Sequence, residues 1–218
     1  MGAVFDHKAW AGKSGPVYGD LAVGDITQLN VNGVAKNFIV VHQGNPDSSL
    51  YDSSCDGTWL LMEDIYESRA WNSSTTADYE NSTIHAYLNG TFLALLGSTV
   101  QGSIAQVKIP YSPGSSASSV NSGANGLSSK VFLPSACELG LSGTVADGAA
   151  LGYFDGANNS RRIAKLNGTA YIYWTRTPNR STNVVNVAIT GGSTVYTPTR
   201  AIGVRPCFIM PSNQKIFS

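Results

Sequence analysis

Four short segments near the C-terminus alternate between apolar and polar residues, and turn-forming residues separate them. Between residues 170 and 210 they read AYIYWTRT, NVVNVAI, STVYT and GVRPCFIM. A period of two is typical of β-strands that have one buried face. A chain that ends in such a meander is unsuited to a helical bundle or a doubly wound parallel sheet, so it requires a fold with an antiparallel sheet.

Two earlier segments have the spacing of amphipathic helices. The segment TWLLMEDIYESRAW (58–71) would place Leu61 and Ile65 on one helical face and acidic residues on the other. The segment NSTIHAYLNGTFLALLG (81–97) repeats that pattern, with Ser82 as its N-cap. We therefore expect an α+β fold, in which two helices pack on a twisted, mainly antiparallel sheet with long loops.

The N-terminal part of the chain divides into an arm and the start of a domain. Residues 1–22 contain turn signals without periodicity, which predicts an N-terminal arm or linker before a single domain at 23–218. Asn32-Gly33 lies between alternating segments and predicts a tight β-hairpin. The start of the chain lacks the basic and apolar regions of a signal peptide, and no apolar run approaches the ~20 residues of a membrane helix, so we expect no membrane insertion.

The charged residues are few and unevenly distributed. Only 13% of the residues are charged, about half of the usual share of ~25%. Residues 1–155 carry 6 Lys and Arg against 14 Asp and Glu, whereas residues 156–218 carry 8 basic residues and no acidic residue. Either the two halves pair within one fold, or the chain presents a basic face to an anionic partner. Internal pairing is favoured, because Arg can hold loops through bidentate hydrogen bonds.

One stretch near the C-terminus is rich in uncharged polar residues. It reads WTRTPNRSTNVVNVAITGGSTVYTPTRAIGVRPCF, and residues 171–202 contain no Asp, Glu or Lys. A central segment rich in Asn, Ser, Thr and Tyr lies between two flanking segments that we expect to be rigid, WTRTP and GVRPCF. This arrangement predicts a variable surface on a rigid scaffold, with Trp174 and Arg176 as anchors at its start and Arg205 and Pro206 at its end.

Several blocks of the sequence, in one order, resemble a family of prophage-encoded proteins from gut Firmicutes. The blocks include YENSTIHAYLNGTFLALL, QVKIPY, SGANGLSSKVFLPS, RRIAKLNGTA and GVRPCFIMPS, and the resemblance extends from Gly24 to Ser212. It implies a C-type lectin-like fold of the formylglycine-generating-enzyme type. The family's penultimate block usually reads WWLRSP, and here it is YWTRTP, from Tyr173 to Pro178.

The segment after this block is similar to the variable region of diversity-generating retroelement proteins. In such systems adenines are randomised, and an Asn codon can then encode residues that include Tyr, Ser, Thr, Asp, Gly, Ala, Val and Ile, but never Lys or Glu. Residues 171–202 lack both Lys and Glu. The resemblance implies a diversified, non-enzymatic binding face, and the expected ligand-binding positions are Tyr171, Tyr173, Thr175, Asn179, Ser181, Asn183, Ala188, Thr190, Gly192, Thr194, Tyr196, Thr197 and Thr199.

The same resemblance implies a location and a class of partner. We expect a virion tail or a bacterial cell surface, with a variable protein or cell-surface ligand as partner and other tail subunits as further contacts. An ordinary, non-diversified prophage lectin-like domain with a polar loop is the alternative. A formylglycine-generating-enzyme-like oxidoreductase is less favoured, because its chemistry requires two nearby reactive cysteines and only Cys207 lies late in the chain.

Motifs for metals, cofactors and nucleic acids are weak or absent in the sequence. Cys55, Cys137 and Cys207 form no CxxC pair, which predicts buried free thiols and no zinc site. The NPD tripeptide at 45–47 lacks the partner segment of a calcium-dependent lectin, and one Asp pair falls short of a calcium cage. No recognition motif accompanies the C-terminal arginines, so we expect no cofactor and no nucleic-acid partner.

Overall fold

The computed structural model describes residues 15–114, 118–143, 145–156 and 159–217. Within these ranges the chain is a mixed α+β protein that consists mostly of β-sheet, which confirms the predicted class. Its strands are β1 (Ile26–Val31), β2 (Val34–Gly44), β3 (Gly57–Met62), β4 (Glu67–Ala70), β5 (Val107–Ile109), β6 (Leu127–Ser129), β7 (Val131–Phe132), β8 (Ala164–Leu166), β9 (Thr169–Tyr171), β10 (Tyr173–Arg180), β11 (Asn183–Val187), β12 (Ser193–Tyr196), β13 (Ala201–Val204) and β14 (Cys207–Met210).

The helices are short. They are α1 (Thr83–Tyr87), α2 (Leu93–Leu95) and α3 (Ser98–Ser103), with a π-helix (Leu88–Phe92) between α1 and α2 and 3-10 turns at Tyr18–Asp20, Ser53–Cys55, Gly123–Asn125 and Asn159–Arg162. Among the described residues, no helix has both the length and the apolar character needed to cross a membrane.

One five-stranded sheet has the order β1-β2-β3-β14-β7 and is antiparallel throughout. Its first hairpin turns at Asn32 and Gly33, which have φ angles of 52° and 75°, as the sequence predicts. These positive φ values suit Asn and Gly and match the right-handed twist of the two strands. The sheet carries an aromatic cluster in which Trp59 packs edge-on against Tyr51 and Phe132, with ring centroids 5.6 Å apart in both pairs.

The helix predicted for residues 58–71 is wrong. The segment forms β3 and β4, and all six residues of β3 are buried. β3 lies between β2 and β14, and both of its faces are covered. A strand of this kind has a continuous apolar run instead of an alternating one, and periodicity alone does not separate such a run from a buried helix.

The second predicted helix is confirmed in the region of 83–95. The Ser82 side chain accepts a hydrogen bond from the backbone N–H of His85, as an N-cap does, and Ile84 and Leu88 are buried. Together α1, the π-helix and α2 form one helical segment over these residues. The expectation of two helices on the sheet is therefore replaced by one such segment and the short α3.

The other five-stranded sheet has the order β12-β11-β10-β13-β4, and β10 and β13 are its parallel pair. Two two-stranded antiparallel sheets, β5-β6 and the hairpin β8-β9, accompany the large sheets. One hydrophobic cluster contains residues from both large sheets, including Trp59 of β3 and Trp174 of β10, which are fully buried. The β10 strand is therefore anchored in this core, and the polar segment follows directly after it.

Residues 17–21 belong to the folded domain. Val17 forms a bridge with Lys215, and Tyr18 and Leu21 are buried. The domain thus begins earlier than the predicted boundary at residue 23. The first part of the predicted arm, residues 1–14, lies outside the described residues.

Candidate ligand-binding face

The strand β10 passes from the core to the surface. Its residues 173–178 are all buried, whereas Asn179 is half-buried and Arg180 is exposed. The register with β11 shifts on both sides of Pro178. A proline cannot donate a ladder hydrogen bond, and an irregular register is where a sheet tolerates one. The predicted face therefore begins after Pro178.

Two predicted ligand-binding residues of this strand are corrected. Tyr173 and Thr175 are both 0% exposed. The Tyr173 hydroxyl donates to the Arg162 carbonyl oxygen at 2.7 Å, and the Thr175 hydroxyl donates to the Val185 carbonyl oxygen at 2.6 Å. Their polar atoms stabilise the interior of the sheet, so neither side chain is available to a ligand.

Arg176 is the central anchor of the scaffold. Its guanidinium is fully buried and forms a bidentate ion pair with Glu138, with both N···O distances at 2.6 Å. It also donates to the carbonyl oxygens of Pro110, Leu133 and Asp147. All five guanidinium N–H groups are therefore used, which offsets the desolvation of the buried charge.

The segment 135–147 extends this buried network. Thr177 accepts a hydrogen bond from the Ala136 N–H at 2.8 Å, and its hydroxyl lies 2.9 Å from both carboxyl oxygens of Asp147. Burial raises the pKa of Asp147 to about 7, although the nearby Arg176 guanidinium acts to lower it. The network joins β10 to a long irregular segment and holds both rigidly.

The exposed predicted residues form two groups at opposite ends of β11. One group surrounds the turn at Ser181 and the connection 197–200, since Arg180 pairs with Asn183, and Val184 pairs with Tyr196. We call this group, together with the loop 72–77 described below, the Tyr196 face. Its predicted members are half-buried or exposed, and they are Asn179, Ser181, Asn183, Tyr196, Thr197 and Thr199.

The loop 72–77 adjoins this group, although none of its residues was among the predicted binding positions. The Ala77 N–H donates to the Ser181 carbonyl oxygen at 2.9 Å, and the Asn72 N–H donates to the Pro198 carbonyl oxygen at 3.1 Å. The four residues between them, SSTT, are all exposed. Their Ser and Thr content resembles that of residues 179–199, and this similarity is the signal in the sequence that could have indicated a shared surface. Only the fold brings the two segments together.

An aromatic side chain and a cation form the most distinctive feature of the Tyr196 face. The Arg200 guanidinium carbon lies 3.8 Å from the centroid of the Tyr196 ring. Arg200 is exposed and Tyr196 is half-buried. In the described part of the chain, neither Arg200 nor Arg180 forms an ion pair with a carboxylate. The face therefore combines a stacked aromatic ring, two available cations and many neutral hydroxyl and amide groups.

The second group lies at the turn between β11 and β12. It contains the predicted residues Ala188, Thr190 and Gly192. Arg162 holds the turn in place, because its Nε donates to the Gly191 carbonyl oxygen at 2.8 Å. Gly191 has a φ of +79°, and a Cβ there would overlap the Asn159 carbonyl oxygen. The turn thus has one position that must be glycine within an otherwise accessible loop.

Two predicted residues lie outside both groups. Thr194 is half-buried in the middle of β12, opposite Asn186. Tyr171 is half-buried and belongs to the β8-β9 hairpin, where it pairs with Ala164. A ligand that contacts the Tyr196 face could extend to Thr194, whereas Tyr171 is in a different sheet.

The basic C-terminal part of the chain is held mainly by backbone carbonyl groups. Arg162, Arg176 and Arg205 are buried, and each donates to at least one carbonyl oxygen. Within the described residues, Arg176 is the only one of these three in a salt bridge with a carboxylate. Pairing between the basic and acidic parts of the chain therefore holds for Arg176 with Glu138, whereas Arg162 and Arg205 are held by uncharged groups, and Arg180 and Arg200 remain on the surface.

The cysteines are free thiols. Cys55 and Cys207 are buried and Cys137 is half-buried. Burial raises the pKa of Cys55 to about 12 and raises that of Cys207 well above its usual value. In the described ranges no three His, Cys, Asp or Glu side chains are grouped as metal ligands. Asp47 and Asp52 accept hydrogen bonds from Ser49 and Ser54 and so stabilise local turns.

The architecture defines a mixed α+β domain with mainly antiparallel sheets. A family model described as "Domain of unknown function (DUF6273)" matches residues 56–212. The match covers more than half of the chain, and the protein belongs to this family. Neither a curated protein nor a solved structure matches the chain. The matched range begins directly before β3 and ends after β14, so it includes the whole Tyr196 face.

Proposed function

We propose that this protein is a non-enzymatic display domain, the variable protein of a diversity-generating retroelement with a C-type lectin-like fold. The observation that carries the proposal is the contrast within the second sheet. A scaffold with buried, hydrogen-bonded polar groups supports an exposed surface of Asn, Ser, Thr and Tyr residues. Surface side chains of this kind can change at a cost within about 0.5 kcal/mol, because they contribute little to packing.

The side chains of the Tyr196 face suit protein recognition. Tyrosine supplies a rigid contact area at a low entropic cost, while Ser and Asn supply adaptable hydrogen bonds. Tyrosine and arginine are also the residue types that dominate binding energies at interfaces, and here Arg200 stacks on Tyr196. We propose a protein or a cell-surface ligand as partner, with the domain at a virion tail or a bacterial surface.

The neighbouring DNA tests the proposal. We expect a near-copy of the 3′ end of the coding sequence beside a reverse transcriptase gene, with differences confined to template adenines. The differing codons should include those of exposed residues, such as Ser181, Thr197 and Thr199, and should exclude that of Arg176. If no such copy exists, the protein is an ordinary lectin-like domain with a constant polar loop.

An oxidoreductase of the formylglycine-generating type is the competing proposal, and the environment of the thiols argues against it. The thiolate is the reactive form of cysteine, and burial disfavours it at Cys207. We expect that the purified protein consumes no oxygen with a thiol-containing peptide, and that Cys207→Ser leaves this unchanged. Oxygen consumption that disappears in Cys207→Ser would favour the enzyme instead.

A further inference from the structure

A cleft that is separate from the Tyr196 face contains a buried cation, Arg205, with an unused hydrogen-bond donor. The cleft has a volume of about 380 Å³, and its lining includes Glu63, Asp64, Tyr153, Arg161, Lys165 and Arg205. This size falls within the range of about 300–1,000 Å³ that is usual for small-molecule sites. None of the lining residues belongs to the Tyr196 face.

Arg205 lies at the base of this cleft and is 1% exposed. Its Nε donates to the Met62 carbonyl oxygen at 2.8 Å, and one Nη1 hydrogen is donated to the Tyr173 hydroxyl at 3.1 Å. Among the described residues, Nη2 has no hydrogen-bond partner and no carboxylate forms a salt bridge with the guanidinium. A buried guanidinium without a counter-ion is costly unless an anion binds to it.

The rim of the cleft adds two exposed cations. Arg161 donates to the Tyr153 carbonyl oxygen at 2.8 Å, and its guanidinium lies 5.2 Å from the centroid of the Tyr153 ring. Lys165 is held beside Asp64 by its backbone, because its N–H donates to Asp64 Oδ1 at 3.0 Å. The backbone of Lys165 and the guanidinium of Arg161 are thus positioned at the rim of the cleft, where both side chains can reach an anion bound to Arg205.

Two carboxylates in the same cleft each keep an oxygen available. Glu63 Oε2 accepts a hydrogen bond from Asn37, and Asp64 Oδ1 accepts the one from Lys165. Within the described residues, Glu63 Oε1 and Asp64 Oδ2 have no such donor. These oxygens can accept hydrogen bonds from ligand hydroxyl groups. With three cations and two carboxylates, the cleft has a net charge of +1, which a monoanion neutralises and a zwitterion does not.

We propose that this cleft binds a small hydroxylated carboxylate of the hexuronic acid class. The ligand carboxylate accepts hydrogen bonds from Arg205 Nη2 and the rim cations, and its hydroxyl groups donate to Glu63 and Asp64. The half-buried ring of Tyr153 and the side chain of Ile163 contact the apolar face of the sugar. This site is separate from the display function, so either proposal can fail alone.

Calorimetric titration of the full chain with sodium glucuronate tests the site. We expect saturable one-site binding of glucuronate, and at least tenfold weaker binding of three other compounds: acetate and glycine, which lack hydroxyl groups, and glucose, which lacks the carboxylate. Arg161→Gln and Lys165→Gln should each weaken glucuronate binding about tenfold. Arg200→Gln, which removes an exposed cation from the Tyr196 face, should leave it unchanged.

A second variant addresses Arg205 itself. Arg205→Lys keeps the charge but removes the planar set of donors, and we expect it to weaken glucuronate binding more than the rim variants do. A thermal melt of the ligand-free variant shows whether it is folded, and if it is not, the rim variants decide. The proposal is overturned if glucuronate does not bind, if acetate or glycine binds as tightly, or if Arg200→Gln has the same effect as Arg161→Gln.

Discussion

Residues 173–178 and residues 179–200 are adjacent in the chain and equally rich in polar side chains, yet they have opposite roles. In the first segment Thr175, Arg176 and Thr177 are at most 1% exposed, and their side chains are hydrogen-bonded within the protein. In the second segment most polar side chains are half-buried or exposed. Polarity alone therefore does not locate a binding face, because buried polar residues in a satisfied network are part of the scaffold.

The largest effect is expected from Arg176. Arg176→Ala leaves Glu138 buried without its cation, and breaking a buried pair in this way costs roughly 3–5 kcal/mol. Arg180→Ala is the matched control, because Arg180 is exposed on the same strand, and its cost should be within about 0.5 kcal/mol. Urea denaturation of both variants measures the difference. Equal losses of unfolding free energy would remove the distinction between the two segments.

A pH-dependent effect is expected from Asp147, which contacts Thr177. Its pKa in the folded protein is about 7 compared with the usual 3.8, so the folded state binds more protons between these values. The free energy of unfolding should therefore fall as the pH rises from about 4 to about 7, by at most about 4 kcal/mol, and should level off above pH 7.

Asp147→Asn tests this interpretation, since the amide keeps the shape of the side chain and does not titrate in this range. Denaturation curves at several pH values should show that this part of the slope disappears. A slope that persists in Asp147→Asn would assign it to another group.

A smaller effect separates two neighbouring glycines within the polar segment. Gly191→Ala places a Cβ against the Asn159 carbonyl oxygen, and the positive φ alone costs a non-glycine residue about 1–3 kcal/mol. At Gly192 the nearest atom to a Cβ is 3.9 Å away, so Gly192→Ala should be nearly neutral. Thermal melts of the two variants compare them. Equal tolerance would show that the turn 188–192 is as free to vary as the Tyr196 face.

The smallest effect on stability is expected for the Tyr196 face. Exchange of Ser181, Thr197 and Thr199 for other small residues should change the free energy of unfolding by less than about 0.5 kcal/mol each. The same exchanges, and above all Tyr196→Ala, should abolish or redirect binding to a partner selected from a surface-display library. Unfolding of these variants would contradict the assignment of the segment as a display surface.

Local signals allowed several features to be predicted from the sequence. Asn32-Gly33 specifies its hairpin through positive φ angles, and Ser82 specifies a helix start through one side-chain hydrogen bond. The anchors Trp174 and Arg176 were also predicted correctly as buried. Each of these features depends on residues close together in the chain or on a residue type that is costly to leave unpartnered.

The features that were missed depend on long-range contacts. β3 was predicted as a helix because β14, which covers one of its edges, is distant in sequence. Tyr173 and Thr175 were placed on the surface because strand alternation does not apply to a strand that is buried on both faces. The loop 72–77 joins the Tyr196 face through hydrogen bonds to Ser181 and Pro198, about a hundred residues further along the chain.

The position of the loop 72–77 has a consequence for the repertoire of such a protein. A retroelement that rewrites codons 171–202 leaves this loop untouched, yet the loop contributes four exposed hydroxyl side chains to the same surface. Every variant would therefore present a constant half beside a changing half. Selection would act on combinations with this constant half, and ligands recognised by different variants would share the features that it can contact.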